Sequence, residues 1–486
     1  MTGHRITLLG SQEARLKDWL TTHPEGHERG AIILFRRLAR QVKNMPASDR
    51  FIAVDIIEMD GDWVIDSSTH HMTINMRNFP EIYLRCEKEG LELGFVHIHP
   101  DGYPDFSPMD DTNERNILHG ISGCNDVKAF LISLVLCENK WIARARRGIN
   151  PNAILSIRHI AILSDKIDMH GIKILDGGLK TLARQEAAFG RPFNAMLQSL
   201  RVAVIGLGGT GSPVATLLAR AGVGELILID GDRLDKSNMN RVRGYTSKNV
   251  KKKKAKSLKK FIESLGLNAE VIAISANLHE SPKALDALSS ADIVFGCTDD
   301  ATGRDILNQA VYYYVQPLID SGLAGFIDKN KNDQPYLRDH RGRVSCILPE
   351  QGSCLRCQRV INDDMIKYEQ ETKARPELLL LDAETLEREF YLRGGGTGAP
   401  GVGPFTSSTG DNAVATLMNL LSSYRKIPDD LRQDNIWTDF VHMNIYSNEP
   451  TDNPECIYCR KQILLCKKEK RYRLNTPGLK EISENV

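Results

Sequence analysis

The sequence lacks two features that would place the protein in or across a membrane. No apolar run approaches the roughly 20 residues that a helix needs to span a bilayer. The opening stretch, MTGHRITLLGSQEARLKDWL, lacks the apolar core and the small-residue cleavage site of a signal peptide. We therefore expect a cytoplasmic protein with no membrane partner.

The sequence also lacks an excess of charge of either sign and any evident internal repeat. Its 63 Lys and Arg residues nearly balance 62 Asp and Glu residues, which leaves a formal net charge of +1. A near-neutral chain gives no electrostatic reason to expect nucleic acid as a partner. With 486 residues, the chain exceeds what one hydrophobic core usually organises, so two or more domains are expected.

Two regions of different character follow one another along the chain. The first mixes strand-like runs such as AIILF and GFVHIH with helix-like segments, which predicts an α+β domain over 1–158. A helical connector is predicted over 159–199. Beyond it, VAVIG, ELILID, EVIAIS and DIVFGC alternate with helical segments, a pattern typical of a mostly parallel sheet with crossover helices. This predicts an α/β domain over 200–470, followed by a polar tail over 471–486.

Residues 97–110 read HIHPDGYPDFSPMD and contain a candidate metal site. His97 and His99 are two residues apart on a predicted strand, so their side chains project from the same face and can share an ion. Asp110, beyond a loop rich in Pro and Gly, can supply a third ligand. Three protein ligands and an open position for water are typical of catalytic zinc. The simpler alternative is a pair of surface histidines beside a loop.

The full spacing of this segment resembles that of the JAB/JAMM metalloprotease family. The resemblance implies that His97, His99 and Asp110 bind zinc and that Ser107 helps to stabilise an oxyanion.

The same resemblance implies a catalytic glutamate where a helix gives way to an apolar strand that contains glycine. HERGAIILF places Glu28 at this point, and Glu28 is the predicted general base. Glu25 and Glu58 are the alternatives.

The segment GLGGTGS lies between a predicted strand and a predicted helix and is a candidate phosphate-binding loop. Glycines allow a tight turn and let backbone N–H groups approach a phosphate at the positive end of the helix. Asp230, about 20 residues further on, is placed to bind ribose hydroxyls. These features alone suit a nicotinamide dehydrogenase equally well. The glycines concerned are Gly206, Gly208, Gly209 and Gly211.

The sequence that follows this loop resembles the ThiF/MoeB and ubiquitin-activating enzyme family. LIDGDRLDKSNMNRVR carries Asp230, Asp232, Asn238 and Arg241 at that family's spacing. The resemblance implies a Rossmann-like fold and an enzyme that uses ATP to adenylate the C-terminal carboxylate of a ubiquitin-like protein. A dehydrogenase would leave Arg241 and the residues described next unexplained.

Three further residues are assigned by this resemblance. The family's ATP-contacting lysine follows its arginine by 13 residues, and Lys254 has this spacing. GCTDDATGR matches the family's Cys-Thr-Asp segment, which implies that Asp299 binds Mg²⁺. ARQEAAFG resembles its Arg-Gln motif, which implies that Arg184 reaches the ATP of the partner subunit in a homodimer. The other lysines of the run, residues 251–253, are interpreted as a solvated helix face.

Four of the ten cysteines form two Cys-x-x-Cys pairs about a hundred residues apart. Two such pairs can form a tetrahedral structural zinc site. The alternative interpretation is four unrelated buried thiols. A zinc knuckle of this kind is found in many members of the family that the sequence resembles. The predicted ligands are Cys354, Cys357, Cys456 and Cys459.

Between the two pairs the sequence lacks the cysteine that many activating enzymes use to form a thioester. GGGTGAPGVGP offers only Thr397 at the corresponding place. Three routes stay open: the reaction stops at the acyl-adenylate, a hydroxyl forms an oxyester, or a distant cysteine forms a thioester. The other hydroxyl candidates are Thr406, Ser407, Ser408 and Thr409, and the thiol candidates are Cys346 and Cys466.

Together the two resemblances imply a bifunctional enzyme with ATP, Mg²⁺ and zinc as cofactors. A peptidase that cuts after a C-terminal glycine tail and an enzyme that adenylates such a tail act on the same ubiquitin-like partner. A conjugating enzyme is a further expected partner, and a bacterial conjugation or antiphage defence system is the expected setting. The alternatives are activation of a sulfur carrier protein and a first domain that only binds the ubiquitin-like protein.

Overall fold

The computed structural model describes residues 3–38, 48–174, 177–381, 385 and 401–461. Within this part of the chain, none of the helices combines the length and the apolar character that crossing a membrane requires.

The first compact unit, Met1–Gly177, is built on one eight-stranded sheet and three helices among the residues that are described. Its elements are β1 (His4–Leu9), α1 (Gly10–Thr21), β2 (Gly30–Leu38), β3 (Arg50–Glu58), β4 (Val64–Ser67), β5 (Met72–Ile74), α2 (Phe79–Glu89), β6 (Glu92–Ile98), α3 (Pro108–Asn125), β7 (Phe130–Cys137), β8 (Lys140–Arg147), β9 (Asn150–Leu163) and β10 (Ile167–His170). The strand order is β1-β3-β2-β6-β7-β8-β9-β10, and β1 also pairs with β9, so the sheet closes on itself. β4 and β5 form a separate hairpin.

Apolar side chains cover both faces of this sheet. Leu16 and Leu20 of α1 pack on one face with residues such as Phe51. Phe79 of α2 and Ile117 of α3 pack on the other. The strands are therefore continuously apolar where helices cover them, as in GAIILF of β2.

The first sheet continues beyond residue 158, where the sequence placed the end of the domain. β9 runs to Leu163 because its last residues, His159–Leu163, pair in parallel register with Arg5–Leu9 of β1. A short turn then brings β10 back antiparallel against β9. Residues 159–170 thus belong to the sheet and its connecting turn. The prediction of a helical connector was wrong for these residues.

The second unit, Gly178–Leu464, contains a mixed eight-stranded sheet flanked by helices. Its elements are α4 (Ala183–Ser199), β11 (Arg201–Ile205), α5 (Gly211–Arg220), β12 (Glu225–Ile229), α6 (Lys254–Ser264), β13 (Glu270–Ile274), α7 (Pro282–Ser289), β14 (Ile293–Gly296), α8 (Ala301–Tyr313), β15 (Leu318–Lys329), β16 (Pro335–Ile347), α9 (Asp363–Ala374), α10 (Gly403–Ser422), β17 (Asn435–Asp439) and β18 (Asn444–Tyr446).

The strand order β13-β12-β11-β14-β15 is parallel throughout, and β16, β17 and β18 extend it antiparallel. The predicted Rossmann-like sheet is therefore confirmed. Chain order reverses between β11 and β14, and in open sheets of this kind ligands bind at the carboxyl ends of the strands on either side of such a point. This edge is where the predicted nucleotide residues lie.

Candidate functional site

Three buried side chains of the first unit converge on one point. The Nε2 atoms of His97 and His99 lie 3.0 Å apart, and Asp110 approaches them at 3.0 Å and 3.5 Å through its two carboxylate oxygens. Two neutral imidazole nitrogens that face each other with lone pairs repel, and a cation between them removes the repulsion. Two histidines and one carboxylate form a donor set that fits zinc with an open position.

Strand and helix ends bring these ligands together. His97 lies near the end of β6 and His99 just after it, so both point to the same side, as the spacing predicts. Asp110 is in the first turn of α3, which Ser107 caps. The Ser107 N–H donates to Asp110 Oδ2 (2.6 Å), and the Asp110 N–H donates to the Ser107 hydroxyl (3.2 Å). This reciprocal cap fixes the carboxylate before any metal binds.

The outer contacts of the two histidines differ. His99 Nδ1 lies 3.0 Å from the carbonyl oxygen of Tyr103. Because a carbonyl only accepts, Nδ1 carries the proton and Nε2 presents its lone pair to the cluster. His97 Nδ1 is buried with no hydrogen-bond partner among the residues that the structure describes, and its ring stacks on Phe95. Burial raises the pKa of Asp110, but the adjacent His97 and His99 imidazoles outweigh it and hold the pKa well below its usual value.

Glu28 lies beside this cluster. It precedes β2, and Gly30 at the start of β2 pairs with His97 across the β2–β6 ladder. Burial raises the pKa of Glu28, while charge on His97 and His99 opposes the rise. A buried carboxyl group next to a metal site is suited to take a proton from bound water.

The two alternatives to Glu28 have other neighbours. Glu25 is exposed, and its carboxylate lies 3.6 Å from the imidazole of His27. Glu58 pairs with Arg15 at 2.8 Å.

Ser107 is half-buried at the rim of the cluster. Its hydroxyl oxygen accepts the capping hydrogen bond, and the hydroxyl hydrogen can still be donated. The predicted contact with an oxyanion is compatible with this arrangement and stays a prediction.

The glycine loop of the second unit turns sharply between β11 and α5. Gly206 has φ +83°, and a Cβ there would lie 2.6 Å from the carbonyl oxygen of Cys297. A Cβ on Gly211 would lie 1.8 Å from the carbonyl oxygen of Gly206. Only glycine fits these two positions, and the turn leads into the N-terminus of α5, where backbone N–H groups can face an anion.

A cavity of about 910 Å³ opens at the carboxyl edge of the sheet, next to this loop. Its size suits a cofactor rather than an ion. The predicted residues that line it are Gly206, Gly208, Asp230, Asp232, Lys254 and Asp299. The sheet topology thus brings together residues that are almost a hundred positions apart in the sequence.

Asp230 and Lys254 are two buried residues that line the cavity. The buried Asp230 carboxylate accepts hydrogen bonds from the backbone N–H groups of Leu207 and Asp232, each at 2.7 Å. Lys254 Nζ lies 2.8 Å from Asp232 and 3.8 Å from Asp230. Burial raises the pKa of Asp230 and the Lys254 charge opposes the rise. Asp230 therefore holds the glycine loop in place, while Lys254 brings one positive charge into the cavity.

Two of the predicted nucleotide-binding residues, Asn238 and Arg241, are not among the residues that line this cavity. Arg241 packs beside Gly209 and donates to the carbonyl oxygen of Ser237 (2.8 Å). The Asn238 side chain caps a short turn by accepting from the Asp235 N–H.

Arg184 is exposed on α4. It does not line the cavity of its own chain.

The solvated interpretation of the lysine run holds in part. Lys251 and Lys252 are exposed, and Lys251 pairs with Asp235 at 2.8 Å. Lys253 is half-buried and donates to the carbonyl oxygen of Gly231, beside the cavity.

Part of the cavity wall comes from residues that the sequence did not indicate. Lys373 of α9 donates to Glu280 (2.7 Å), and Glu369 of the same helix accepts from the backbone N–H of Thr302 at 2.9 Å. Residues 277–280 follow β13, so their place at the carboxyl edge of the sheet could have been predicted. The approach of α9 depends on tertiary packing, for which the sequence holds no local signal.

The four paired cysteines of the second unit form a closed cluster. The Cys354–Cys456 and Cys357–Cys459 sulfur atoms are each 3.7 Å apart. Tetrahedral zinc with Zn–S bonds near 2.3 Å requires S···S distances of about 3.8 Å, so the spacing fits zinc. All four positions for ligands are taken by protein, and the predicted site is therefore structural in form.

The candidate nucleophiles for a covalent intermediate differ in accessibility. Thr406 and Thr409 are buried in α10 and donate to backbone carbonyl oxygens of their own helix. Burial raises the pKa of the Cys346 thiol to about 12, so it is not a thiolate near neutral pH. Thr397 and Cys466 lie outside the described residues.

Ser407 and Ser408 also lie on α10. Ser407 is half-buried and Ser408 is exposed.

Comparison with known proteins gives one matching family over more than half of the chain. A model described as the ThiF family matches residues 182–459. The match begins at α4, so the segment that carries Arg184 belongs with the second unit. The predicted connector over 159–199 is thus divided between the first sheet and the matched region.

Three curated relatives illustrate the similarity. Sulfur carrier protein ThiS adenylyltransferase of Escherichia coli is 35% identical over 127 residues, which are 26% of this chain and 50% of that protein. SAMP-activating enzyme E1 of Haloferax volcanii is 29% identical over 161 residues, 33% of this chain and 54% of that protein. Adenylyltransferase and sulfurtransferase uba4 of Aspergillus terreus is 34% identical over 152 residues, 30% of this chain and 31% of that protein. The chain thus spans about half, or less, of the length of the curated relatives it matches.

Proposed function

The chain belongs to the ThiF family, and from this premise we propose that its second unit uses ATP to adenylate the C-terminal carboxylate of a ubiquitin-like or sulfur-carrier protein. The observation that carries the proposal is the cavity that unites the glycine loop, Lys254 and Asp299 at one edge of the sheet. ThiF-family relatives whose names refer to ThiS and SAMP support this class of substrate.

The proposed reaction joins two negatively charged groups. A carboxylate oxygen of the tail bonds to the α-phosphorus of ATP while the bond to the β-phosphate bridge breaks, which yields an acyl-adenylate and pyrophosphate. Catalysis then rests on positioning and on neutralising charge. Lys254 supplies one cation, the N–H groups of the glycine loop face the phosphates, and Asp230 keeps the loop in shape. Mg²⁺ held by Asp299 would supply further neutralisation.

Arg184 and Arg241 enter the proposal with different roles. Arg184 is exposed and lies outside its own cavity, which supports action on the ATP of a second protomer in a homodimer. Arg241 lies against Gly209 of the glycine loop, which supports a role for its side chain toward phosphates bound at that loop. Asn238 stabilises the turn that leads to Arg241.

We further propose that the reaction of the second unit ends at the acyl-adenylate. The high pKa and the burial of Cys346 support this, because they leave that thiol unsuited to capture the tail. An oxyester on Thr397 or on the exposed Ser408 is the competing outcome.

Intact-mass analysis tests these proposals together. The full chain is incubated with ATP, Mg²⁺ and small proteins that end in glycine and are encoded near its gene. The proposal predicts that the small protein gains the mass of one adenylyl group. An adduct on the enzyme that survives thiols but is cleaved by hydroxylamine would show that the reaction ends at an ester and not at the acyl-adenylate. No mass change on any tail would contradict the adenylation itself.

For the first unit, we propose a JAB/JAMM-type zinc peptidase that cuts after the same kind of tail. The convergence of His97, His99 and Asp110 with Glu28 beside them supports this. Zinc bound there would supply an activated water and polarise the scissile carbonyl. Glu28 takes the proton from the nucleophile, and the Ser107 hydroxyl donates to the oxyanion. Cleavage frees the C-terminal glycine that the second unit adenylates.

A peptidase assay with zinc-loaded protein tests the proposal for the first unit. The substrate is a ubiquitin-like protein extended beyond its terminal glycine, and cleavage after that glycine is the expected result. Zinc-replete protein that binds the tail without cutting would show instead that the first unit is a binding module.

The genomic neighbourhood separates the proposed pathways. A gene for a conjugating enzyme beside this one would favour protein conjugation, including its use in antiphage defence. A sulfurtransferase gene would favour activation of a sulfur carrier.

A further inference from the structure

Helix α3 carries a second acidic residue that is fully buried. Glu114 is 0% exposed, and its two carboxylate oxygens accept from Arg144 Nε (2.9 Å) and Arg146 Nε (2.6 Å) of β8. Removing a carboxylate from water is strongly unfavourable unless charge and hydrogen bonds replace the water. Here two guanidinium groups replace it.

A neighbouring acid completes the network. Asp111 accepts from Arg144 Nη2 at 2.7 Å and also from Arg146 Nη2. Arg146 donates in addition to the carbonyl oxygen of Pro151 at 3.0 Å. Two acids of α3 thus face two arginines of β8, and the charges balance.

Arg144 also contacts the loop that leads into α3. Its guanidinium lies over the ring of Phe106, 4.0 Å from the ring centre. Phe106 directly precedes Ser107, the cap of α3. One side chain therefore contacts both the loop that carries Ser107 and the helix that carries Asp110.

The spacing along α3 links this network to the metal ligands. Asp110 and Glu114 are four residues apart and lie on one side of the helix, one turn above the other. The orientation of α3 that allows Glu114 to pair with the arginines therefore also determines the direction of the Asp110 side chain. The apolar contacts of Ile117 and Ile121 are non-directional and tolerate small shifts. Paired buried charges do not, because a shift leaves a charge unsatisfied.

We propose that Glu114 and Arg144 are positioning residues of the first-unit metal site. Glu114 fixes Asp110 against His97 and His99, and Arg144 fixes both Glu114 and the loop before Ser107. The inference rests on the proposed zinc binding by these ligands. It adds residues that the His-x-His and Ser-x-x-Asp spacing does not include.

Zinc affinity of the full chain tests the inference without any activity assay. Glu114→Gln keeps the shape of the side chain and removes its charge. We expect the His97/His99/Asp110 site to bind zinc about 10- to 100-fold more weakly in a chelator competition, as found for outer contacts of other zinc sites. The cysteine cluster of the same chain should be unchanged and serves as the internal reference. Glu89→Gln, which removes an ion-paired but surface acid of α2, is the matched control and should bind normally.

Cobalt spectra separate positioning from general loss of stability. Co²⁺ at the first-unit site of Glu114→Gln should show altered visible bands, because the Asp110 carboxylate no longer meets the ion in the same geometry. Arg144→Lys keeps the charge but loses the forked contact and the flat face over Phe106, so a similar change in spectrum and affinity is expected. If Glu114→Gln does not fold, Arg144→Lys alone decides.

Two results distinguish failure of the inference from failure of the proposed function. Wild-type affinity and spectra in a folded Glu114→Gln or Arg144→Lys protein would overturn the positioning role. A wild-type chain that binds zinc only at the cysteine cluster would overturn the proposed metal site, and the positioning role with it.

Discussion

The metal cluster of the first unit is encoded between His97 and Asp110, whereas the nucleotide cavity of the second draws on residues from Ile205 to Ala374. The three metal ligands of the first site come from one strand end and one capped helix start. The second exists only after five parallel strands have paired in the correct order. A short motif can therefore indicate the first site almost completely, while the second depends on fold topology. Each site is built from its own unit, so we expect changes to act on one of them at a time.

The largest expected contrast concerns thiols of the two units. Because burial raises the pKa of Cys346 to about 12, the thiolate is scarce at pH 8, and the thiol should alkylate about 1,000-fold more slowly than an ordinary cysteine. At pH values below that pKa, the alkylation rate should rise about tenfold for each unit by which the pH is increased, since only the thiolate reacts. Peptide mass spectrometry after timed iodoacetamide treatment measures this, with the exposed Cys124 of the first unit as control. Equal rates at Cys346 and Cys124 would return Cys346 to the list of thioester candidates.

Substitution of the cavity lysine should disable only the second site. Lys254→Ala removes the positive charge beside Asp230 and Asp232, and we expect adenylation to fall about 100- to 1,000-fold. Zinc content and peptidase activity should not change. Lys252→Ala, an exposed neighbour, is the matched control. A Lys254→Ala protein with normal adenylation would remove this residue from the mechanism.

Substitution of the buried glutamate should disable only the first site. Glu28→Gln keeps the size of the side chain but cannot accept a proton, so peptidase activity should fall about 100-fold or more. Zinc binding at His97 and His99 and adenylation by the second unit should stay at wild-type levels. Glu25→Gln is the control, because Glu25 is exposed. If only the control loses activity, the general base has been misassigned.

Chelation should distinguish the open cluster from the closed one. Three protein ligands leave a position through which a chelator can bind, whereas four cysteines do not. Treatment with EDTA should therefore lower the zinc content from about two equivalents per chain to about one. The melting temperature of the second unit should be unaffected until the remaining zinc is lost. Loss of the cysteine-bound zinc first would contradict the assignment of open and closed sites.

Much of the second unit follows from local sequence patterns. β11, the glycine loop and α5 match the predicted strand, turn and helix, because apolar runs and glycine spacing both have local causes. Pairs of cysteines a hundred residues apart were also predicted to meet, and they do.

The parts that escaped prediction depend on contacts between distant segments. The last residues of β9 and all of β10 were assigned to a connector, because nothing in the sequence shows that β1 pairs with β9. The position of α9 against the cavity and the pairing of Glu114 with Arg144 have the same origin. The contact that Arg241 makes in this structure, with the carbonyl oxygen of Ser237, also has no local signal in the sequence, and its place at the nucleotide stays a prediction.

Exchange of labelled pyrophosphate into ATP tests the central claim most directly. The account predicts exchange that requires Mg²⁺ and a small protein ending in glycine, and that stops when this glycine is deleted. It also predicts that Lys254→Ala lowers exchange about 100- to 1,000-fold and that Glu28→Gln leaves it intact. Exchange that continues after the terminal glycine is deleted would contradict the account. So would the absence of exchange with every tail-bearing protein encoded near the gene.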